Sequence, residues 1–196
     1  TSPAREGRAG SGGGVFAELF AVAAPAVVTM TSYTLMQFVD KLILSRLGPE
    51  ELAGAGNGGI AAFVPAAILI GGIGVINTYV SQHLGAGNPR AGAAYAWNGL
   101  WITLITWALV LLPFAYFVGD IFGGMRAALG LDAPPGAVAQ HEITYAQILL
   151  GGMIFMLMSR ALQHFFYGVH RPAVVMVAAI AGNLANVVLC YGLVLG

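Results

Sequence analysis

Five stretches of this chain are long and apolar enough to form helices across a bilayer, and no other feature constrains the fold as much. A bilayer core of ~30 Å takes ~20 helical residues. The stretches run from about Val15 to Leu47, Glu51 to Leu84, Ala91 to Val118, Glu142 to Gly168 and Pro172 to Leu195. Turn chemistry separates them: Gly48-Pro49, Gly85 to Pro89, Ala133-Pro134-Pro135-Gly136 and His170-Arg171-Pro172. With 58% hydrophobic and 8% charged residues, a soluble fold of this size lacks the polar groups to cover its surface. Lipid needs no such cover, but it leaves no backbone polar group unpaired, so the spans must be helical. The expected fold is an all-α polytopic transmembrane bundle over residues 15–196, preceded by a flexible Gly-rich leader, Thr1 to Gly14.

Several classes drop out at once. Eight basic and eight acidic residues balance, which leaves no basic patch for nucleic acid. One cysteine, Cys190, forms no internal disulfide framework. The four histidines show no metal spacing, so no metal site or cofactor is expected from them. No HExxH, paired-Asp or Gly-x-Ser-x-Gly pattern points to an enzyme. The chain starts without Met and stops within an apolar run, so it reads as a piece of a longer protein. Placing the N-terminus inside puts Arg5, Arg8, Arg90 and Arg171 on the cytoplasmic side against Lys41, Arg46 and Arg126 outside, a small positive-inside bias. The segment from Gly119 to Gln140 is the longest connection, and Met125 to Leu129 within it has the composition of a short interfacial helix.

The polar residues inside the spans carry the functional signal. Asp40 sits among Phe38, Val39, Leu42 and Ile43, and an ionisable group at membrane depth is costly enough to imply a role. Its alternative is a solvated interfacial position, paired with Lys41 or Arg46. At 100° per residue, Thr29, Tyr33, Met36, Gln37 and Asp40 form one polar stripe. In the fifth span Asn183, Asn186 and Cys190 share a face, suited either to an ion or to interhelical hydrogen bonds. The fourth span aligns Tyr145, Gly152, Met156, Ser159 and Gln163, and Met153 and Met158 add adaptable apolar surface. Arg160 is the cation that approaches membrane depth there. Pro25 removes an amide donor inside the first span and is a candidate kink or hinge. Gly54 and Gly58, then Gly71, Gly72 and Gly74, are small-residue packing signals.

Together these motifs resemble a known family. Pro25, then Gln37-Phe38-Val39-Asp40-Lys41 through Gly48-Pro49-Glu50-Glu51-Leu52-Ala53, looks like the first helix and turn of multidrug and toxic compound extrusion (MATE) transporters. Val80-Ser81-Gln82-His83-Leu84-Gly85-Ala86-Gly87-Asn88 is similar to the end of the second helix. Tyr145, Tyr167-Gly168, Arg171-Pro172 and Asn183-Leu184-Ala185-Asn186 resemble the fourth and fifth. The resemblance implies the first five helices of a six-helix lobe, with a C-terminal lobe lying elsewhere. It implies an inner-membrane antiporter that exports organic cations in exchange for H⁺ or Na⁺. Asp40 then takes the place of the coupling carboxylate and Asn186 that of its fifth-helix amide, with Asn183, Tyr33 and Gln37 around them. Met36, Tyr145, Met156 and Gln163 are expected to line the substrate cavity. Many members carry Asn or Asp four residues beyond the fifth-helix amide; here it is Cys190, a departure that favours H⁺ over Na⁺. A flippase for lipid-linked saccharide precursors is the alternative from the same superfamily.

Overall fold

A computed structural model describes residues 12–128, 130 and 136–194, and those residues are almost wholly helical. Helix α1 spans Gly12–Leu44, so its start takes in the last residues of the expected leader; residues 1–11 lie outside the described set. Helices α2 (Pro49–Ile73) and α3 (Val75–Gly85) form the second rod. The third comprises α4 (Pro89–Thr106), a π-helical turn at Trp107–Leu111, and α5 (Leu112–Ala128). Helices α6 (Gly136–Gly168) and α7 (Pro172–Val194) complete the bundle. Among the described residues, four rods are long and apolar enough to cross a membrane: Pro49–Gly85, Pro89–Ala128, Val138–Gly168 and Pro172–Leu193. Helix α1 is 33 residues long and carries Thr29, Thr31, Ser32, Tyr33, Thr34, Gln37 and Asp40 in its second half.

Local chemistry sets the breaks. Gly48 adopts φ 147°, which side-chain-bearing residues avoid, and Pro49 opens α2 where no amide donor is needed. Asn88 caps α4 by accepting from the Ala91 amide at 3.2 Å. Gly54 and Gly58 bring α2 onto α6. A Cβ on Gly54 would stand 2.6 Å from Cβ of His141, and one on Gly58 2.5 Å from the Glu142 carbonyl oxygen. Among the described residues, nothing lies within 4 Å of a Cβ built on Gly71 or Gly72, and Gly74 marks the seam between α2 and α3.

The third rod departs from the sequence expectation. Instead of ending near Val118 and yielding to a loop with its own interfacial helix, α5 runs unbroken to Ala128, and Met125 to Ala128 are its last turn; Leu129 lies outside the described residues. Glycines at 119, 123 and 124 disfavour helix by ~1 kcal/mol each relative to Ala. Tertiary contact outweighs that: Val118 and Phe122 are buried against Ala146 of α6, and Arg126 reaches Glu142. The π-helical turn is likewise anchored, since Trp107 Nε1 donates to the Leu150 carbonyl at 3.0 Å.

Helix α6 is the axis on which α2, α3, α4 and α5 pack, with Leu150, Met153, Leu157 and Ala161 facing Ala62, Ala66 and Val80. Helix α1 packs mainly on α7, and this pair touches the block more lightly. Large apolar side chains point outward all round, Phe155 at 78% and Leu193 at 84% exposure among them, as expected where lipid is the solvent.

Candidate functional site

The connectivity gathers the membrane-depth polar groups at one end of the bundle. Helices α1 and α7 run to that end and α6 starts from it, so Asp40, Asn186, Cys190, Tyr145 and Glu142 lie at comparable depth. Asp40 is half-buried one turn before α1 ends. With its amide nitrogen turned toward Asp40, Asn186 donates to both carboxylate oxygens, at 3.0 and 3.2 Å. Tyr145 and Cys190 stand within electrostatic range of the same carboxylate. Neither Lys41 nor Arg46 pairs with it: the ion pair among the described residues is elsewhere. Asp40 is therefore a carboxylate held by a neutral amide, without a cationic partner among the described residues.

The rest of the α1–α7 seam is tied down by short polar bonds. Asn183 Nδ2 donates to Ser32 Oγ at 2.8 Å. Thr29 donates to the Pro25 carbonyl at 2.7 Å, and α1 continues through Pro25 without a break. Gln37 is exposed and makes no hydrogen bond among the described residues.

Beside this seam, α1, α6 and α7 enclose a cavity of about 610 Å³. Met156 and Gln163 line it, as the stripe on the fourth span predicts, together with Tyr33, Ser159, Arg160 and Asn183. Met36 is not part of this wall. It lines a second, apolar groove of about 450 Å³ between α1 and α7, because three residues beyond Tyr33 is a 60° turn away from the cavity. Tyr145 also lies outside the cavity lining; it stands three turns up α6 from Met156, beside Gly59 of α2. The Arg160 guanidinium lies over the Tyr33 ring, 6.0 Å from its centroid, and its Nη1 donates to Gln163 Oε1 at 3.5 Å.

A second carboxylate was not foreseen. Glu142 is 1% exposed, the deepest charged side chain described. Arg126 of α5 donates to its Oε2 and Asn57 of α2 to its Oε1, the latter at 2.6 Å. Three rods meet at this cluster. The available signal was positional: Arg126 and Glu142 lie equidistant from Pro134, where opposite charges on the two arms of a helical hairpin meet. No grouping of three or more metal-type ligands occurs among the described residues.

Comparison with known proteins places this arrangement. The MatE family model matches residues 25–192. The chain belongs to the MATE family. Probable multidrug resistance protein NorM of Pseudomonas syringae pv. tomato is 29% identical over 91% of the chain. Multidrug resistance protein PmpM of Pseudomonas aeruginosa is 26% identical, again over 91%. The chain spans 38% and 36% of these relatives' lengths. In fold it matches a MOP superfamily transporter from Pyrococcus furiosus at TM-score 0.76 and 23% identity, over 87% of this chain and 36% of that one. An outward-facing MATE transporter gives the same TM-score at 24% identity and the same coverage. The MATE chain is thus a multi-pass membrane protein, and the described helices match one part of a larger transporter fold.

Proposed function

We propose that the complete protein is a secondary antiporter of the cell (inner) membrane that exports organic cations in exchange for protons, with Asp40 as the exchanging group. The observation that carries this reading is the bonding of Asp40: a carboxylate without a counter-cation, held by the Asn186 amide above a cavity. Such a group has two ways to shed its charge at membrane depth, a proton or a cationic ligand. Competition between them is the minimum needed for exchange. When Asp40 is protonated it still accepts from Asn186 and keeps its place. The NorM and PmpM names given to the relatives support a drug-sized substrate. Pro25 is the proposed hinge of α1, since the backbone bond its ring deletes lowers the cost of bending there.

Protons suit the site better than Na⁺. Na⁺ needs several hard oxygen donors. Cys190 offers a thiol where a carboxylate or amide would add oxygen. The flippase alternative is disfavoured by the cavity wall, in which Arg160 is the one basic side chain among the described residues. The test is efflux of an organic cation from proteoliposomes holding the full-length protein, first under an imposed pH gradient, then under an imposed Na⁺ gradient. Efflux driven by the pH gradient alone is expected. Efflux driven by Na⁺ alone would reverse the ion assignment, and none under either would remove the antiporter reading.

A further inference from the structure

Helices α2 and α5 leave a groove of about 480 Å³ between them, away from Asp40 and from the cavity beside the α1–α7 seam. Ile60, Val64, Phe114, Ile121 and Met125 line it, and Ile60 and Val64 are more than half exposed. Asn57, Arg126 and Glu142 form its one polar end. Within that end the two charges differ in access: the Glu142 side chain is 2% exposed and the Arg126 side chain 22%. The Arg126 guanidinium lies over the Phe122 ring and gives Glu142 a single nitrogen, Nη2. The rest of its five donors make no hydrogen bond among the described residues. A buried acid thus fixes an arginine whose unused donors border an apolar channel.

Depth and length match one leaflet of a bilayer. Arg126 is two residues from the end of α5 and Glu142 six residues into α6, so the polar end lies near the helix ends, where lipid headgroups sit. From Arg126 to Phe114 the channel follows α5 for ~18 Å at ~1.5 Å per residue, against ~15 Å for half of a ~30 Å core. The same line of α2 continues outward. Glu50 precedes Asn57 by seven residues, which places it ~20° from Asn57 on the wheel and ~10 Å nearer the helix end. Glu50 is exposed and has no cationic partner among the described residues. From the helix ends inward, the groove presents an acid, an arginine fork and an apolar channel.

We propose that this groove holds one molecule of an ethanolamine phospholipid, with its ammonium at Glu50, its phosphodiester on Arg126 and an acyl chain between α2 and α5. Planar guanidinium donors suit a phosphodiester. A primary ammonium donates to a carboxylate, whereas a choline headgroup has no N–H to give and a glycerol headgroup brings no cation. The site shares no residue with the exchange site and stands whether or not the protein is an antiporter.

The test is native mass spectrometry of the purified full-length protein, equilibrated in detergent with equal amounts of phosphatidylethanolamine, phosphatidylcholine and phosphatidylglycerol. The parent should retain one phosphatidylethanolamine, favoured about tenfold over either competitor, the scale of one charge-assisted hydrogen bond. Glu50→Gln should bring phosphatidylethanolamine level with phosphatidylcholine while a lipid stays bound. Val64→Trp fills the groove from an exposed position and should remove the bound lipid. Ile68→Trp, one turn further along α2 and outside this groove, should leave it in place. Arg126→Lys should weaken all three lipids alike, because the fork to their shared phosphodiester is lost. Should that variant fail to fold, Glu50→Gln and Val64→Trp decide, since both positions are exposed and size-exclusion profiles verify their folding. A parent that retains no lipid overturns the proposal; another helix of the full-length protein seated in the groove would give that result. Preference for phosphatidylglycerol overturns it too, as does an unchanged preference in Glu50→Gln. Equal retention in Val64→Trp and Ile68→Trp, at any level, shows that the lipid is bound elsewhere and removes the site.

Discussion

Two carboxylates lie at the same end of this bundle, and their surroundings are opposite in kind. Glu142 is buried, paired with Arg126 and bonded by Asn57, so both its charge and its lone pairs are answered. Asp40 is half-buried, bonded by a neutral amide, and bordered by a thiol and a phenol. A compensated charge has little reason to change its state. An uncompensated one gains by taking up a proton or a cation. On the proposed function, the contrast separates an acid that holds helices together from an acid that exchanges, though both have the same functional group at a similar depth. Packing follows the same division. Glu142 joins the tight block around α6, whereas Asp40 belongs to the α1–α7 pair that touches the block lightly. That lighter contact is what a moving part requires.

The largest expected effect tests this division directly. Asp40→Asn should abolish gradient-driven efflux from proteoliposomes while the protein still inserts, since Asn keeps the shape but neither titrates nor carries charge. Removing the charge should not hinder insertion, since an Asp within a span is costly on translocon scales. Glu142→Gln should retain efflux, because Gln keeps the shape, accepting from Arg126 through its one oxygen while its amide nitrogen donates to a turned Asn57 amide. Equal loss of efflux in both variants would erase the distinction between the two acids.

Next in size is the reverse manipulation. Arg126→Ala leaves Glu142 buried without its cation, a defect of about 3–5 kcal/mol when one partner of a buried pair is removed. Thermal unfolding in detergent should show a large loss of stability. The double variant Arg126→Ala/Glu142→Leu should recover most of it, because the unanswered charge is gone. Failure of the double variant to recover would mean that the cluster acts through shape and not through charge.

These two regions were unequally legible in the sequence. Asp40 announced itself because it interrupts an apolar run, and Asn186 because it recurs on one helical face with Asn183 and Cys190. Periodicity put each set on one face of its own helix, and the family resemblance implied that the two faces meet. Glu142 was hidden because it sits where hydropathy already falls, at the start of an apolar stretch, and reads as an interfacial residue. Arg126 was hidden with it: the glycines before it end the hydropathy signal near Val118, yet the helix continues because its partner on α6 holds it there. Met36 fell on the wrong wall because a broad polar stripe covers about 100° of a helix, and a packed neighbour divides that arc into two cavities. Arg160 was visible as a charge at depth, but that Asp40 does not pair with it, and that it lines the main cavity, are matters of tertiary geometry.

The smallest effect expected concerns Cys190, and it sharpens the comparison by fixing what Asp40 does not need. The thiol lies on the same face of α7 as Asn186, one turn further on, within range of the carboxylate. If Asp40 exchanged Na⁺, this position would be expected to supply an oxygen, and altering it would change the site strongly. If Asp40 exchanges a proton, the thiol is a weak donor beside a carboxylate already held by a better one. Cys190→Ala should therefore change pH-driven efflux by less than about twofold, since a neutral thiol is a weak hydrogen-bond donor. Asn186→Ala, by contrast, removes the amide bonded to both carboxylate oxygens and should cut efflux several-fold more than Cys190→Ala. The measurement is initial efflux rate in matched proteoliposomes under one pH gradient. A Cys190→Ala loss as deep as that of Asn186→Ala would show that the carboxylate relies on α7 as a whole face, and the proton-only account of the site would have to be abandoned.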